Sequence, residues 1–167
     1  MNALNVSAAV QQYLDENGFT VEEYTKPYVE LGVGPFHFKM KNGPDRQKAI
    51  PMHDMHHVAT GYGTDLVGEA EVGMWELRAG CTNAFLVAIN LTAVIVGMVL
   101  SPARMWRAFK AARGATSLYV LGRDRAELGA MSVGELRRLI GVPEQGVANP
   151  AERRLHGGAP KQAAQRA

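Results

Sequence analysis

Three histidines and a carboxylate fall within five residues of this chain, at His53-Asp54-Met55-His56-His57, and Glu69 follows after eleven intervening residues. On a helix, His53 and His57 lie one turn apart on one face, and Asp54 lies three residues before His57, so all three can lean toward one point. Glu69 can join them only if a second helix folds back on the first. This requirement constrains the fold more than any other feature of the sequence.

The residues around this cluster predict where the two helices begin and end. Pro51 suits the first turn of a helix, which predicts a start at Pro51 or the residue before it and an end near Ala59. The glycines of residues 60–63 can take the left-handed conformations that terminate a helix. Asp65 is a typical N-cap, so the second helix is expected to carry Glu69 near its first turn.

Two imidazoles and two carboxylates form a ligand set that suits zinc, iron(II) or manganese(II). The candidate ligands are His53, Asp54, His57 and Glu69. His56 lies three residues after His53 and is an alternative to His57. Without the downstream glutamate, the histidine pair would be more typical of surface or core histidines than of a metal site.

The segment from His53 to Glu69 resembles the coenzyme Q (ubiquinone) biosynthesis protein 4 family, whose hallmark is a His-Asp-x-x-His sequence followed by a glutamate. The intervening Gly61-Tyr62-Gly63-Thr64-Asp65 and Gly68 also match, and a fainter resemblance extends from Tyr28 to Pro143. The resemblance implies zinc, held by His53, Asp54, His57 and Glu69. It further implies removal of the ring carboxyl group of a prenylated hydroxybenzoate, with hydroxylation at the same carbon, at a membrane.

We therefore expect a metal-dependent carbon–carbon lyase, a decarboxylase that binds a hydrophobic or prenylated aromatic molecule. Tyr62 and Asp65, in the loop between the ligands, are candidate proton donors, although packing explains Tyr62 and a helix cap explains Asp65 equally well. Two alternatives remain open. One is a non-catalytic lipid-binding scaffold with a structural metal, and the other is a metal-dependent lyase or hydrolase acting on another aromatic substrate.

The most apolar part of the chain runs from Ala84 to Leu100, within a stretch that has no charged residue between Arg78 and Arg104. Its length is at the short limit of the roughly 17 to 25 residues that span a membrane, and Asn90 and Thr92 interrupt it. The sequence therefore predicts a buried or groove-lining helix rather than a membrane span. Such a helix could line a groove for a prenyl tail.

Charge is unevenly distributed along the chain. Residues 1–100 hold six Lys/Arg and eleven Asp/Glu, whereas residues 101–167 hold twelve Lys/Arg and five Asp/Glu. The positive half begins directly after the apolar segment, which favours a membrane surface or an anionic partner. No nucleic-acid-binding signature accompanies it, so nucleic acid is not an expected partner.

The basic segment from Met105 to Arg113 combines Trp106, Phe109 and three cations. This composition fits a helix at a membrane interface. It fits equally well an ordinary amphipathic helix with Trp106 and Phe109 packed inward.

Together these patterns predict a mainly α fold, a single-domain helical bundle over residues 1–150 with an extended or hairpin segment near residues 20–40. A helix over residues 8–16 is expected to be capped by Ser7, and a capping box at Ser132 and Glu135 opens a helix that ends at Ile140. Residues 151–167, poor in large apolar side chains, are expected to form a flexible basic tail.

The sequence also yields an expectation about location. A single cysteine, Cys81, fits a reducing compartment, and the first residues show neither a secretory nor a transit-peptide pattern. A cytoplasmic protein is therefore expected, with peripheral binding to the inner membrane as a further option. Assembly into a homodimer is left open.

Overall fold

The computed structural model describes residues 1–33 and 36–155. This part of the chain is mainly helical, which confirms the predicted α-helical bundle. A 3-10 helix (Val21–Tyr24) and an antiparallel hairpin of β1 (Tyr28–Val33) and β2 (Phe36–Lys41) follow the first helix, in the region where extended structure was predicted. The α-helices are α1 (Val6–Asn17), α2 (Pro44–Thr60), α3 (Leu66–Ala79), α4 (Ala84–Leu100), α5 (Pro102–Ala111), α6 (Leu118–Leu121), α7 (Arg125–Ala130) and α8 (Val133–Ile140).

Local capping signals account for most helix ends. Asn5, rather than the predicted Ser7, caps α1, because its side-chain oxygen accepts a hydrogen bond from the Ser7 backbone N–H at 2.9 Å. Gly18 ends α1 in the left-handed conformation, with φ 69°. The capping box predicted at Ser132 and Glu135 is confirmed at the start of α8.

Helix α2 begins earlier than the sequence predicted. Pro44 lies in its first turn, where a missing N–H costs nothing, and Gly43 is the N-cap. The predicted start at residue 50 or 51 is therefore wrong, since Pro51 lies inside the helix and removes one backbone hydrogen bond there. The predicted end is correct, and Gly61 terminates α2 with φ 84°.

The hairpin is anchored at its open end, where Tyr28 lies opposite Lys41. The buried side chain of Asn42, which follows β2, donates hydrogen bonds to the backbone carbonyls of Tyr24 at 3.0 Å and Lys26 at 2.7 Å. These bonds fix the 3-10 helix against the start of α2. They also set the position of Tyr24, which contacts the candidate site described below.

The hydrophobic core is built from α1, α2, α3, α5 and α8, with single residues from the short helices α6 and α7. The buried guanidinium of Arg137 on α8 donates to the carbonyl of Ala59 at 2.8 Å. The backbone N–H groups of Val147 and Ala148 donate to the carbonyl of Thr60 at 2.8 and 3.0 Å. The end of α2 is thus held from α8 and from the segment after it. The largest fully buried apolar side chains are Trp75, Leu14, Met105, Leu118, Leu128, Leu136 and Ile140.

Helix α4 packs on α3 and α5 through one narrow side, where Leu86, Asn90, Val94 and Gly97 are buried. The rest of α4 faces outward, and Val99 is 80% exposed. The predicted burial of this helix therefore holds on one side only, because nothing in the described part of the chain covers the other. Within that same part, no helix is both long enough and apolar enough to cross a membrane.

Helix α5 turns Met105 and Ala108 inward and leaves Trp106 59% exposed. The alternative in which Trp106 packs inward is therefore wrong. Phe109 is half-buried beneath the guanidinium of Arg78, whose central carbon lies 3.9 Å from the ring centroid. The rings of Trp106 and Phe109 stack, with their centroids 5.5 Å apart.

The first residues of the predicted tail contact the domain. The carboxylate of Glu152 pairs with Arg107, and the carbonyl of Arg154 accepts a hydrogen bond from the backbone N–H of Thr64 at 2.9 Å. Residues 156–167 lie outside the described residues. The flexibility predicted for them stays a prediction.

The contact between α3 and α4 generates the first testable prediction. A Cβ added to Gly97 would lie 2.5 Å from Ala70 Cβ and 2.5 Å from Met105 Sδ, so a larger side chain must push α4 away from α3 and α5. We expect Gly97→Val to lower the free energy of unfolding by about 1–3 kcal/mol, measured by urea denaturation. In the control Gly43→Ser, the new side chain enters open space and should leave stability nearly unchanged. Equal stability of both variants would contradict the close packing of α4.

Candidate metal centre

Three of the four predicted ligands converge across the loop that joins α2 to α3. The Nε2 atoms of His53 and His57, one turn apart on α2, are 3.1 Å from each other. Glu69 places Oε2 3.2 Å from His53 Nε2 and Oε1 3.4 Å from His57 Nε2. His53, His57 and Glu69 thus form a group that could hold a metal ion.

The loop brings the two helices together by tight backbone packing. Gly61 ends α2, and the side chain of Asp65 caps α3 by accepting a hydrogen bond from the Gly68 N–H at 3.1 Å. A Cβ on Gly68 would lie 2.3 Å from the carbonyl oxygen of Gly63, so only glycine fits there. Asp65 is therefore a helix cap, which is one of the two roles predicted for it. This cap places Glu69 in the first turn of α3, as predicted.

The hydrogen bonds behind the two histidines determine which ring nitrogens face the centre. His53 Nδ1 lies 2.9 Å from the Glu76 carboxylate, and His57 Nδ1 lies 3.3 Å from the carbonyl oxygen of Tyr62. Because an ionised carboxylate and a carbonyl only accept hydrogen bonds, both rings must carry a proton on Nδ1. The Nε2 lone pairs of the neutral rings then point at each other and toward Glu69.

Such a convergence of lone pairs and negative charge needs a cation at its centre. Without a metal, a proton on His53 can supply this positive charge. Burial opposes the charged form of His53, but the carboxylates of Glu76 and Glu69 outweigh burial and hold its pKa well above the ordinary value. Burial likewise opposes ionisation of Glu69, yet the two histidines lower the pKa of its carboxyl group far below the usual range.

The distances between the three donor atoms also fit a metal. Zinc bonds of about 2.0–2.1 Å to histidine nitrogen and carboxylate oxygen place tetrahedral ligand atoms about 3.3–3.4 Å apart. The separations of 3.1, 3.2 and 3.4 Å in this group are close to that value. Binding would therefore require only small side-chain movements.

The group is enclosed on one side and open on the other. The side chain of His57 is fully buried, whereas those of His53 and Glu69 are 23% and 37% exposed. A metal held by these three residues would have a coordination position open to water or to a substrate. Two histidines, one carboxylate and an open position also form the ligand pattern of non-haem iron(II) oxygenases.

Asp54, the fourth predicted ligand, lies outside this group. Its buried carboxylate accepts a hydrogen bond from the Tyr24 hydroxyl, which the 3-10 helix presents to α2. Burial raises the pKa of Asp54, although the two neighbouring histidines favour its charged form. To bind the metal directly, the Asp54 carboxylate would have to move toward the group of His53, His57 and Glu69.

Two other residues singled out by the sequence do not contribute a side chain to the centre. His56 is fully buried, with Nδ1 2.7 Å from the Glu76 carboxylate and Nε2 accepting the Leu118 backbone N–H at 2.9 Å. It therefore does not replace His57. Tyr62 is buried in the core, and burial raises the pKa of its hydroxyl, so packing is the reading that the structure supports.

The predicted site does not include the residues that surround the ligands, chiefly Glu76, Tyr24 and Tyr119. Glu76 had a detectable signal, because it lies seven residues after Glu69 and so two turns along the same face of α3. Tyr24 and Tyr119 come from distant parts of the chain, and no local pattern indicates them. In the sequence, Asn90 stands out only as a polar residue that interrupts the apolar segment.

A small cleft approaches the centre from the α1 side. It has a volume of about 200 Å³ and is bordered by Tyr13, Gln12, His57 and Arg153. The ring of Tyr13 stacks on that of His57, with a centroid distance of 5.3 Å. Ligand sites usually measure about 300–1,000 Å³, so this cleft is too small for a prenyl tail.

Comparison of the chain with protein-family models, with curated protein sequences and with solved structures found no match. The fold and the geometry of the centre therefore define the class of protein directly. It is a mainly helical protein whose α2 and α3 present a candidate metal centre of two histidines and one carboxylate.

The different positions of Glu69 and Asp54 yield the second prediction. Glu69→Gln removes a charged ligand, and we expect it to weaken Zn²⁺ binding by more than about 100-fold, since even residues that only support a ligand contribute about 10–100-fold. Asp54→Asn is the matched control, because it neutralises a carboxylate beside the same histidines yet still accepts the Tyr24 hydrogen bond. It should retain one zinc per chain. Competition titration with a chromogenic chelator measures both, and equal losses would make Asp54 a fourth ligand.

Proposed function

We propose that this protein is a zinc-dependent decarboxylase that removes the ring carboxyl group of a prenylated hydroxybenzoate-type acid. The observation that carries this proposal is the open side of a centre to which the described part of the chain contributes three candidate ligands, His53, His57 and Glu69. Catalytic zinc sites have three protein ligands and an open position, whereas structural sites are closed by four. The substrate class rests on the resemblance of the segment from His53 to Glu69 to the ubiquinone-biosynthesis family.

The reaction requires a Lewis acid, cleavage of one carbon–carbon bond and the addition of one proton. Bound zinc would act as a Lewis acid toward a carboxylate or phenolate oxygen of the substrate. The bond between the ring and the carboxyl carbon breaks, its electron pair stays on the ring, and a proton must be added at that ring carbon as carbon dioxide leaves. Asp54 suits the role of proton carrier, since it is next to the ligand His53 in the chain and burial raises the pKa of its carboxyl group. Tyr62 and Asp65 fit this role less well, because one is packed in the core and the other caps α3.

The same ligand set accommodates iron(II) or manganese(II), and this matters for the coupled hydroxylation. Zinc is redox-inert, so an oxidative step would require iron(II) at His53, His57 and Glu69 or oxygen activation by the electron-rich ring itself. Decarboxylation alone requires neither. Activity restored by iron(II) but not by zinc would therefore indicate an oxidative enzyme, whereas with zinc the presence or absence of a new ring hydroxyl in the product makes the distinction.

The third prediction tests the reaction. Purified protein loaded with Zn²⁺ should release carbon dioxide from a 4-hydroxybenzoate that carries a short prenyl chain, and removal of the metal with a chelator should abolish release. The double variant His53→Ala, His57→Ala should be inactive at every added metal concentration. Release of carbon dioxide that survives both metal removal and the double variant would overturn the proposal.

A membrane surface is the partner that the outer face of the molecule fits best. Val87, Leu91, Ile95 and Met98 form an exposed apolar stripe along α4, and Trp106 lies exposed on the adjoining α5. No acidic residue occurs between positions 76 and 124, whereas Arg and Lys occur repeatedly there. An apolar surface beside cations and a tryptophan complements an anionic lipid surface. There, a prenylated substrate could keep its tail in the lipid while its ring reaches the metal.

The fourth prediction concerns this surface. The double variant Lys110→Glu, Arg113→Glu should weaken binding to phosphatidylglycerol-containing vesicles at least tenfold in a sedimentation assay, since each basic residue near such a surface contributes about 1 kcal/mol. The control Lys26→Glu, Lys41→Glu makes the same charge change on exposed residues outside α4 and α5 and should bind normally. A stable dimer in light scattering that Ile95→Glu converts to a monomer would instead assign the stripe to a second copy of the chain.

The second candidate function is a lipid-binding scaffold in which the metal only fastens α2 to α3. The outward face of α4 favours lipid binding whether or not the centre is catalytic. In a scaffold, zinc removal should lower thermal stability without an associated reaction, and the fourth ligand should be a protein side chain such as Asp54. A third option, a metal-dependent lyase or hydrolase for another aromatic acid, would give product with that acid and none with the prenylated one.

A further inference from the structure

Glu76 is a completely buried carboxylate that accepts hydrogen bonds from four side chains on three other helices. His53 Nδ1 and His56 Nδ1, both on α2, lie 2.9 and 2.7 Å from Oε1. The hydroxyl of Tyr119 on α6 lies 2.9 Å from the same oxygen. Asn90 Nδ2, on α4, lies 2.7 Å from Oε2.

This arrangement is costly for a residue with only a packing role. Removing a carboxylate from water costs several kcal/mol even after the protein relaxes, and an apolar side chain of similar size is often as stable or more so. The four side-chain donors around Glu76 compensate this cost, and they favour an ionised carboxylate, which only accepts hydrogen bonds. The cluster therefore favours a buried negative charge at this position.

Of the side chains that donate to Glu76, only His53 is a candidate metal ligand, and His56 donates without neutralising the charge of Glu76. His56 Nε2 accepts the backbone N–H of Leu118 at 2.9 Å, so a neutral His56 carries its proton on Nδ1 and donates it to Glu76 without neutralising it. His53 is the one donor whose other ring nitrogen faces Glu69 and His57.

A carboxylate that accepts the outer N–H of a metal-binding histidine fixes the ring orientation and makes the ligand nitrogen more basic. His53 is the more exposed of the two histidine ligands, so the Glu76 hydrogen bond is the main restraint on its ring. Asn90 in turn restrains Glu76 by holding Oε2. This contact gives a reason for a buried amide within the otherwise apolar α4.

We propose that Glu76 is a positioning residue that sets the orientation and metal affinity of His53, and that Asn90 on α4 holds Glu76 in place for this task. The inference rests on the proposed function of the centre as a metal site. It goes beyond it by assigning a role to two residues that do not touch the metal.

The test compares metal binding in Glu76→Gln with the wild-type protein. The new amide group would present NH₂ to either the histidine donors or the Asn90 amide, which would have to turn its oxygen toward it, and the negative charge beside His53 is lost in either case. We expect Zn²⁺ and Co²⁺ affinity to fall by about 10–100-fold and the visible absorption bands of bound Co²⁺ to shift. Unchanged Co²⁺ bands and affinity would overturn the proposal.

A matched control lies on the same helix. Glu71 is also buried on α3, but it pairs with Arg104 at 2.6 Å and contacts none of the three ligands. Glu71→Gln should lower thermal stability while leaving Co²⁺ affinity and spectrum unchanged. Equal loss of metal affinity in both variants would reduce the role of Glu76 to general stability.

A rescue variant keeps the test decisive if Glu76→Gln folds poorly. In Glu76→Gln, Asn90→Asp, the new amide can keep its oxygen toward His53, His56 and Tyr119 and donate its NH₂ to the new carboxylate. Most of the lost affinity should return, and the Co²⁺ bands should move back toward those of the wild type. A double variant that is well folded but binds no more tightly than Glu76→Gln alone would count against the role of Asn90.

The outcomes also separate this inference from the proposed function. If the wild-type protein binds neither Zn²⁺ nor Co²⁺ stoichiometrically, the metal centre itself fails, and the positioning role fails with it. If the wild type binds metal and Glu69→Gln does not, while Glu76→Gln binds normally, only the positioning role fails.

Discussion

The buried carboxylate of Glu76 lies where four helices meet, and its hydrogen bonds hold them together. It connects α3 to α2 through two histidines, to α4 through Asn90 and to α6 through Tyr119. An unpaired buried charge would be strongly destabilising, so each element must be in place before the carboxylate is satisfied. The packing of the four helices and the orientation of His53 are therefore set by the same hydrogen bonds.

Helix α4 packs against the protein on one side and is exposed on the other. The side of α4 that faces α3 carries Asn90 and Gly97, one for a hydrogen bond and the other for close approach. Its opposite side is apolar and exposed. The sequence of this uncharged helix gives little indication of which side is buried, because the outer side is also apolar apart from Thr92, while the buried side carries the polar Asn90. The hydrophobic periodicity that usually distinguishes them is absent.

Local rules predicted the parts of the fold that depend on neighbouring residues. The left-handed glycine at 61, the Asp65 cap and the Ser132 capping box all act within four residues, and all are confirmed. The start of α2 was mispredicted because two prolines compete for the first-turn position, and Pro44 occupies it. The spacing of His53, His57 and Glu69 also correctly predicted that these residues lie close together. The partners of Asp54 and Glu76 could not be predicted, since Tyr24 and Tyr119 reach the site only through tertiary packing.

The position of Asp54 decides what kind of chemistry the centre can support. Four protein ligands would close a tetrahedral metal and leave only a structural role, unless the coordination number increased. In this structure the Asp54 carboxylate accepts the Tyr24 hydroxyl and lies outside the group of His53, His57 and Glu69. Under the proposed function, the hydrogen bond from Tyr24 would keep Asp54 apart from the metal as a proton carrier, although Asp54 directly follows the ligand His53. Helix α2 would then supply both two of the metal ligands and an acid beside them.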